Sequence, residues 1–193
     1  MNTDKLKVNI GSIVSLSNEE WLQLFDFIEI KSFKKNSYFL SEGHICDSIA
    51  FVNSGVLIYY KLLNNGNEIT TDFAFEGDWV TDNQSRLNKS PSLIYIKAIE
   101  DAELLIIKND ELPDLFNSLP KLEKLGRILI EQAFIKIAQL SIDLQSLSAK
   151  EHYIKLLHKY PEFFQKIPLH HLANYLGIAP KSLSRIRNEI FNK

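Results

Sequence analysis

The feature that most constrains the fold is a change in the spacing of apolar residues near position 108. Before it, short apolar or alternating runs are separated by turn residues, and seven or eight such runs predict an antiparallel barrel or sandwich. After it, the spacing becomes helical. The sequence therefore predicts an α+β fold whose sheet region precedes its main helical region. The β-rich runs are Ile28–Phe33, Tyr38–Leu40, Ser48–Val52, Val56–Leu63, Glu68–Phe75, Leu93–Ile99 and Ala102–Ile107.

A long uninterrupted helix is predicted after the strands. The run from Lys121 to Leu147 contains no proline and one glycine, and at the usual rise per residue it would be roughly 40 Å long. Its apolar residues alternate at intervals of three and four, the spacing of a seam between paired helices. We expect this helix to mate with a second copy of itself while its flank touches the barrel, although a helix packed only on its own barrel is the alternative. The expected dimer-interface residues are Ile130, Ala133, Ile137, Leu140 and Leu144.

Two capping boxes predict further helix starts. Ser17 with Glu20 begins a helix ahead of the strands, and Ser148 with Glu151 begins one directly after the long helix. The joint Leu147–Ser148 is therefore the best candidate for a hinge.

This joint also divides the charges. Residues 148–193 hold eight lysines and arginines against three acids, a net +5, so with −2 for the whole chain residues 1–147 carry −7. An acidic body with a basic end indicates an anionic partner at that end.

The stretch Ile167–Ile190 predicts a helix-turn-helix. Gly177 supplies the residue without a Cβ that a left-handed helix end favours, and Pro180 stands where a new helix can start without an amide donor. The second helix would pack through Leu183, Ile186 and Ile190, and its opposite side would carry Lys181, Ser182, Ser184, Arg185 and Asn188. That side offers donors to phosphates and base edges, although a helical hairpin that binds nothing would have the same packing.

Composition excludes several classes of protein. There is no apolar run long enough to span a bilayer, and the first residues lack the pattern of a signal peptide. The single cysteine, Cys46, excludes a disulfide framework and a four-cysteine iron–sulfur cluster, and it favours a reducing cytoplasm. Haem ligation by Cys46 or His44 is disfavoured, because a lone cysteine is more often a small buried hydrophobic residue.

In this order of elements the chain resembles the Crp/Fnr family of bacterial transcription regulators over nearly its whole length. The resemblance implies a cyclic-nucleotide-binding-type β-roll of the jelly-roll kind and a homodimer formed by the long helix. It also implies that each protomer reads the major groove of a near-palindromic operator in double-stranded DNA through its second helix, with RNA polymerase as a further partner. The segments that carry the resemblance are Ser41–Gly43, Phe51–Gly55, Phe75–Asp78 and Leu172–Arg187.

The family's effector site can be compared position by position. In members that respond to cyclic AMP, a glycine is followed by a glutamate that holds the ribose and then by an arginine that pairs with the cyclic phosphate. Here Gly77 matches, but Asp82 stands at the glutamate position and Ser92 at the arginine position. Because a serine cannot neutralise a buried phosphate, we expect no tight binding of cyclic AMP, no cofactor, and either another effector or none. The expected pocket residues are Gly77, Asp78, Asp82, Ser92 and Leu93.

The resemblance also implies DNA contacts. Lys181 and Arg185 occupy positions that reach bases in the family, and Ser182 occupies a phosphate-contacting one. Lys181 replaces a glutamate of the best-known members, so it would donate to guanine or phosphate and the operator should differ. The histidine pair His170–His171 is expected at the surface rather than in a metal site. The full set of expected DNA-binding residues is Lys181, Ser182, Ser184, Arg185, Arg187 and His170.

The predicted domains are a sensor roll at 1–112, a dimerisation helix with its linker at 113–147, and a helix-turn-helix domain at 148–193 that lacks a full wing and so has a smaller footprint. Movement at the hinge would reset the spacing of the two reading helices.

An enzyme of the cupin type is disfavoured because it would need two or three histidines in the strand region, which contains only His44. The alternative function is a protein-interaction or small-ligand-sensing module that does not bind DNA.

Overall fold

The β-rich runs form two four-stranded sheets in the computed structural model, which describes residues 3–160 and 166–191. One sheet has the order β1-β8-β3-β6 and the other the order β2-β7-β4-β5. The strands are β1 (Glu29–Phe33), β2 (Tyr38–Leu40), β3 (Ser48–Ser54), β4 (Leu57–Leu62), β5 (Glu68–Ala74), β6 (Trp79–Val80), β7 (Tyr95–Ala98) and β8 (Ala102–Lys108). This arrangement confirms the predicted antiparallel β-roll within an α+β fold.

The helices flank and follow the roll. They are α1 (Asp4–Gly11), α2 (Asn18–Asp26), α3 (Asn83–Asn88), α4 (Leu112–Ser118), α5 (Lys121–Ser146), α6 (Ala149–Lys159), α7 (Leu169–Tyr175) and α8 (Pro180–Phe191). The predicted long helix is confirmed to within one residue, and the start of α8 at Pro180 agrees with the sequence. Both predicted capping boxes are present, because Ser17 and Ser148 each accept a hydrogen bond from the glutamate amide three residues on.

The apolar residues of the two sheets meet in a core inside the roll. Strands β3 and β8 pair antiparallel, with Val52 opposite Leu104 in this core. The members of this core from both sheets are Leu40, Cys46, Ala50, Val52, Leu57, Ala74, Val80, Ile96, Ala98, Ala102, Leu104 and Ile106. The turn after β3 needs a glycine, because a Cβ on Gly55 would lie 2.6 Å from the Cβ of Ala102 and its φ is +92°. Close packing and a positive φ thus explain the glycine that ends the segment Phe51–Gly55.

A second apolar cluster lies on the outer side of the first sheet. It packs the helices that precede the strands and those that follow them against that sheet. Alternate residues of β3 and β8, such as Phe51 and Leu105, point away from the roll interior and are covered by helices. Their partners come from α1, α2, α4 and the first turns of α5, where Leu122 and Leu125 are buried. The N-terminal flank of α5 therefore packs on the roll, as the sequence predicted.

The described residues fall into two units. One consists of the residues up to Tyr59 with Phe73–Ala133, and the other consists of Tyr60–Asp72 with the residues from Phe134 onward. The part of the β4–β5 hairpin nearest its turn is thus grouped with the C-terminal helices. The three-domain division expected from the sequence stays a prediction. The missing wing also stays a prediction, and Asn192 and Lys193 lie outside the described residues. Among the helices described here, none has the length and apolarity needed to cross a membrane.

Candidate nucleic-acid interface and effector site

Helices α7 and α8 pack against each other as a helix-turn-helix. Leu172 and Ala173 of α7 and Leu183 of α8 are fully buried, and the small side chain of Ala173 suits the close approach of two packed helices. Gly177 ends α7 with a φ of +66°, and the next amide, that of Ile178, donates back to the carbonyl of Ala173 at 3.0 Å. The apolar spacing and the glycine together therefore fix the angle at which α8 leaves the turn.

The outward side of α8 carries the cations expected from the sequence. Lys181 is exposed, and the side chain of Arg185 is 80% exposed. Ser182 and Ser184 are half-buried. The hydroxyl of Ser184 donates to the carbonyl of Pro180 at 3.0 Å. Its proton is therefore used within the helix, and the serine would have to break this bond to donate to a phosphate. Lys181 and Arg185, one turn apart, are the long donors on this face.

Two other expected DNA-contacting residues lie beside this face. Arg187 is half-buried, close enough to Tyr153 for its charge to lower the pKa of that hydroxyl, while burial raises the same pKa more strongly. His170 is exposed on α7, as expected. The surface role expected for its neighbour is wrong: His171 is only 7% exposed, and its Nδ1 lies 3.0 Å from a carboxylate oxygen of Glu68 on β5. Adjacent helix residues point in different directions, so only one histidine of the pair faces solvent.

The same face contains a carboxylate that the sequence reasoning overlooked. The Lys150 ammonium on α6 donates to Oε2 of Glu189 at 2.8 Å. Its other oxygen, Oε1, lies 3.9 Å from Nε of Arg185, one helical turn earlier. The spacing of four between Arg185 and Glu189 was a visible signal for the second contact, whereas nothing in the sequence indicated the first.

In the roll, two of the five expected effector residues are in direct contact. Asp82 caps α3 by accepting from the amides of Gln84 and Ser85 at 3.0 and 3.2 Å. Its second carboxylate oxygen accepts from the hydroxyl of Ser92 at 2.7 Å. Ser92 is 2% exposed. The residues at the ribose and phosphate positions of the family therefore satisfy one another and offer no cation to an anionic ligand.

The other three expected effector residues are engaged elsewhere or lie at the surface. Gly77 and Asp78 form the turn before β6, where the carboxylate of Asp78 accepts from the amide of Phe75 at 2.8 Å and the carbonyl of Gly77 accepts from Asn9 at 3.1 Å. Leu93 is 51% exposed. A cavity of about 250 Å³ in this part of the chain is lined by residues 38–41 and 44–48, and none of the five expected residues is among them.

Arg86 is the cation nearest in sequence to the missing arginine. It is 7% exposed, and its two terminal nitrogens donate to the side-chain oxygens of Asn109 and Asn83 at 2.9 and 3.0 Å. Burial lowers the pKa of this guanidinium, and a favourable interaction with Cys46 partly opposes that shift. Arg86 therefore supports the roll through α3 and does not replace the arginine that a cyclic phosphate needs.

The seam predicted for self-association lies along an exposed side of α5. Ile130, Ile137 and Leu144 are 51%, 65% and 58% exposed, and Ala133 and Leu140 are half-buried. Phe134, which the sequence set beside the seam, is 71% exposed. Large apolar side chains that recur along one helix at this exposure are typical of a surface that another molecule covers.

The joint between α5 and α6 is bridged by a buried polar cluster. Asp143, 7% exposed near the end of α5, accepts from Nζ of Lys155 on α6 at 2.5 Å and from Gln139 at 2.8 Å. Hydrogen bonding from Lys155 lowers the pKa of Asp143. His152 on α6 is 4% exposed, and burial lowers its pKa more than the nearby charge of Asp143 raises it. The cluster therefore ties the two helices together across Leu147–Ser148.

This cluster predicts a loss of stability in mild acid. Because burial lowers the pKa of His152, this histidine takes up a proton at a lower pH in the folded chain than in the unfolded chain, where the pKa of a histidine is near 6.5. Unfolding therefore becomes easier as the pH falls below that value, by at most about 1.4 kcal/mol per pH unit for one proton. Urea unfolding between pH 8 and 5 should show this slope, and His152→Gln should reduce it. His158→Gln, an exposed histidine on the same helix, is the control, and an equal reduction by both variants would contradict the prediction.

Comparison with known proteins agrees with this architecture. Residues 30–118 match the cyclic nucleotide-binding domain family. The anaerobic regulatory protein of Haemophilus influenzae is 26% identical over 184 residues, covering 89% of this chain and 71% of that protein. This relative is named as a regulatory protein and not as an enzyme.

Two solved structures share the fold. FixK2 from Bradyrhizobium japonicum superposes with a TM-score of 0.74 at 16% identity, covering 86% of this chain and 85% of that one. A regulator assigned to the Crp/Fnr family from Eubacterium rectale superposes with a TM-score of 0.68 at 20% identity, covering 91% and 84%. With its roll, its long helix and its helix-turn-helix, the chain is similar to transcription regulators of the Crp/Fnr family.

Proposed function

We propose that this regulator binds double-stranded DNA as a homodimer, with α8 of each protomer in the major groove of one half-site of a near-palindromic operator. The observation that carries the proposal is the outward face of α8. It presents Lys181 and the 80%-exposed side chain of Arg185 on a helix whose opposite face is buried through Leu183 and Ile186. A rigid helix with long donors on one side suits the base edges and phosphates of that groove.

Self-association is supported by the apolar side of α5. Isoleucines and leucines exposed at intervals of seven, such as Ile130, Ile137 and Leu144, suit a parallel partner helix. Two protomers joined in this way would present two copies of α8, and a two-fold symmetric protein fits a two-fold symmetric site. The proposal places the protein in the cytoplasm, where it would contact RNA polymerase at the promoters that it controls.

A selection followed by a salt titration tests the proposal. The full chain would select from a random duplex library, and its affinity for the recovered sequence would then be compared with that for a scrambled duplex at several salt concentrations. We expect a preference of about 10³-fold or more and a steep fall of affinity with salt. No binding would instead favour the interaction module, and binding without any sequence preference would contradict the proposed reading of an operator.

Cyclic AMP is expected not to bind tightly. Asp82 and Ser92 already satisfy each other at 2.7 Å, and a phosphate placed there would be buried without a cationic partner. Isothermal titration with cyclic AMP should show no saturable heat up to millimolar nucleotide. Saturable binding in the micromolar range, about 8 kcal/mol of affinity, would show that another residue supplies the missing charge.

The proposed mechanism uses the joint between α5 and α6. An effector or another signal in the roll would alter the angle at Leu147–Ser148 and so the spacing of the two reading helices. The hydrogen bond from Lys155 to Asp143 would either persist through that movement or be replaced by contacts of these two side chains with other residues. Structures with and without an effector that share one angle at this joint would contradict the mechanism.

A further inference from the structure

A single carboxylate interrupts the cationic face of α8. Between Lys166 and Phe191 the sequence contains one acidic residue, Glu189. Its side chain is 46% exposed and lies between two cations, with Lys150 at 2.8 Å and Nε of Arg185 at 3.9 Å. An acidic side chain on a surface proposed to approach DNA weakens the attraction between that surface and the phosphates. Its presence on α8 therefore needs a separate explanation.

We infer that Glu189 is a positioning residue that orients Arg185 and thereby sets how strongly the protein discriminates between DNA sequences. The inference rests on the proposed function of α8. A guanidinium is planar and directs its five N–H groups along fixed lines. The carboxylate of Glu189, 3.9 Å from Nε, attracts that edge of the group, and the two terminal nitrogens remain available for the paired acceptors O6 and N7 of guanine.

Lys150 restricts the position of the Glu189 carboxylate. Its ammonium on α6 binds Oε2 of Glu189, whereas Oε1 is the oxygen in the contact with Arg185. The carboxylate is thus held from a neighbouring helix and is less free to follow the arginine to other positions. Ordering Arg185 before DNA arrives would reduce the conformational entropy lost when it meets a base.

The charge of Glu189 acts in the same direction. Binding to DNA of arbitrary sequence depends on neutralising phosphates, and a negative charge one turn from Arg185 reduces that attraction for every sequence. The contact between an oriented Arg185 and guanine is gained only at the correct sequence. Glu189 should therefore lower the affinity for non-operator DNA more than the affinity for the operator.

The test is a double-mutant cycle on the full-length protein with the operator selected by the wild-type chain and a scrambled duplex of equal length. Glu189→Gln removes the charge at nearly constant shape. It is expected to raise affinity for the scrambled duplex by about two- to fivefold, the size expected for one exposed charge pair. The ratio of operator to scrambled affinity should fall, because affinity for the operator rises less. Added to Arg185→Ala, it should reduce that ratio no further.

The matched control is Glu131→Gln on α5, which removes the same charge from an arginine–glutamate pair of the same spacing, with 2.6 Å between Arg127 and Glu131. It should leave the ratio unchanged. The inference is overturned if Glu189→Gln leaves the ratio within experimental error, if it lowers the ratio equally without Arg185, or if Glu131→Gln has the same effect. A wild-type chain that selects no sequence would instead overturn the proposed function.

Discussion

Replacing Arg185 with alanine should weaken binding to the selected operator by about 1–3 kcal/mol for each half-site, roughly a factor of 5 to 150. The reason is that its side chain, 80% exposed on α8, is the long donor best placed to meet a pair of base acceptors. Affinity for a scrambled duplex should fall much less, because only one phosphate-attracting charge per protomer is lost. Fluorescence anisotropy with both duplexes at fixed salt measures the two effects.

Arg127→Ala provides the matched comparison for this prediction. Arg127 is also an exposed arginine with a glutamate four residues later on the same helix, but it lies on α5. Its removal should leave the operator preference intact. If Arg185→Ala binds the operator as the wild-type chain does, then α8 does not read the bases, and the proposed docking is wrong even if the protein binds DNA by another surface.

Introducing a charge into the proposed seam should separate the protomers. In a dimer formed through α5, Ile137→Glu would place two carboxylates in an apolar interface, and burying unpaired charges costs several kcal/mol. We expect the dimer dissociation constant to rise by about a hundredfold or more. Analytical ultracentrifugation over a range of concentrations would detect the resulting monomer. Operator binding should weaken in parallel, since each monomer would engage one half-site alone.

Ile135→Glu is a stringent control for the seam. Ile135 and Ile137 are both isoleucines, are both 65% exposed and lie two positions apart on α5, so they point to nearly opposite sides of the helix. Only the change at Ile137 should dissociate the dimer. If both variants stay dimeric, or both become monomeric, the interface is not the one that the spacing of apolar residues predicts.

The sequence predicted those elements whose stabilising contacts are local or periodic. The capping boxes at Ser17 and Ser148 and the turn at Gly177 depend on residues within a few positions, and all three are confirmed. The long helix was predictable because its apolar spacing persists over many turns. The strands were predictable from alternation, although β6 was missed because two residues, Trp79 and Val80, are too few to show a period.

Two short helices were missed because their main contacts are distant. Helix α1 has no side-chain cap at Thr3, and its buried residues Leu6 and Ile10 pack on parts of the chain far along the sequence. Helix α3 is mostly polar and is fixed by Asp82, which the sequence reasoning assigned to an effector pocket.

The pairing of distant side chains was also beyond the sequence. The contact between Asp82 and Ser92 joins residues ten apart, and the contact between His171 and Glu68 joins residues about a hundred apart. The spacing of apolar residues along the sequence does not indicate such contacts, because they depend on how separate elements are folded against one another. On α8 a single helix holds the expected residues, so the sequence was enough to place them on one face, and their contacts with DNA stay a prediction. In the roll several elements must meet, and the sequence did not show which side chains they bring together.

The second apolar cluster has a consequence for how the chain acquires its structure during synthesis. It combines Leu6 and Leu24 from the first helices with Leu122 and Leu125 from the start of α5. A nascent polypeptide that has emerged only as far as β8 would leave the outer side of Phe51 and Leu105 open to water. The roll would thus reach its final stability only after the first turns of α5 leave the ribosome, and a fragment ending before Lys121 should aggregate.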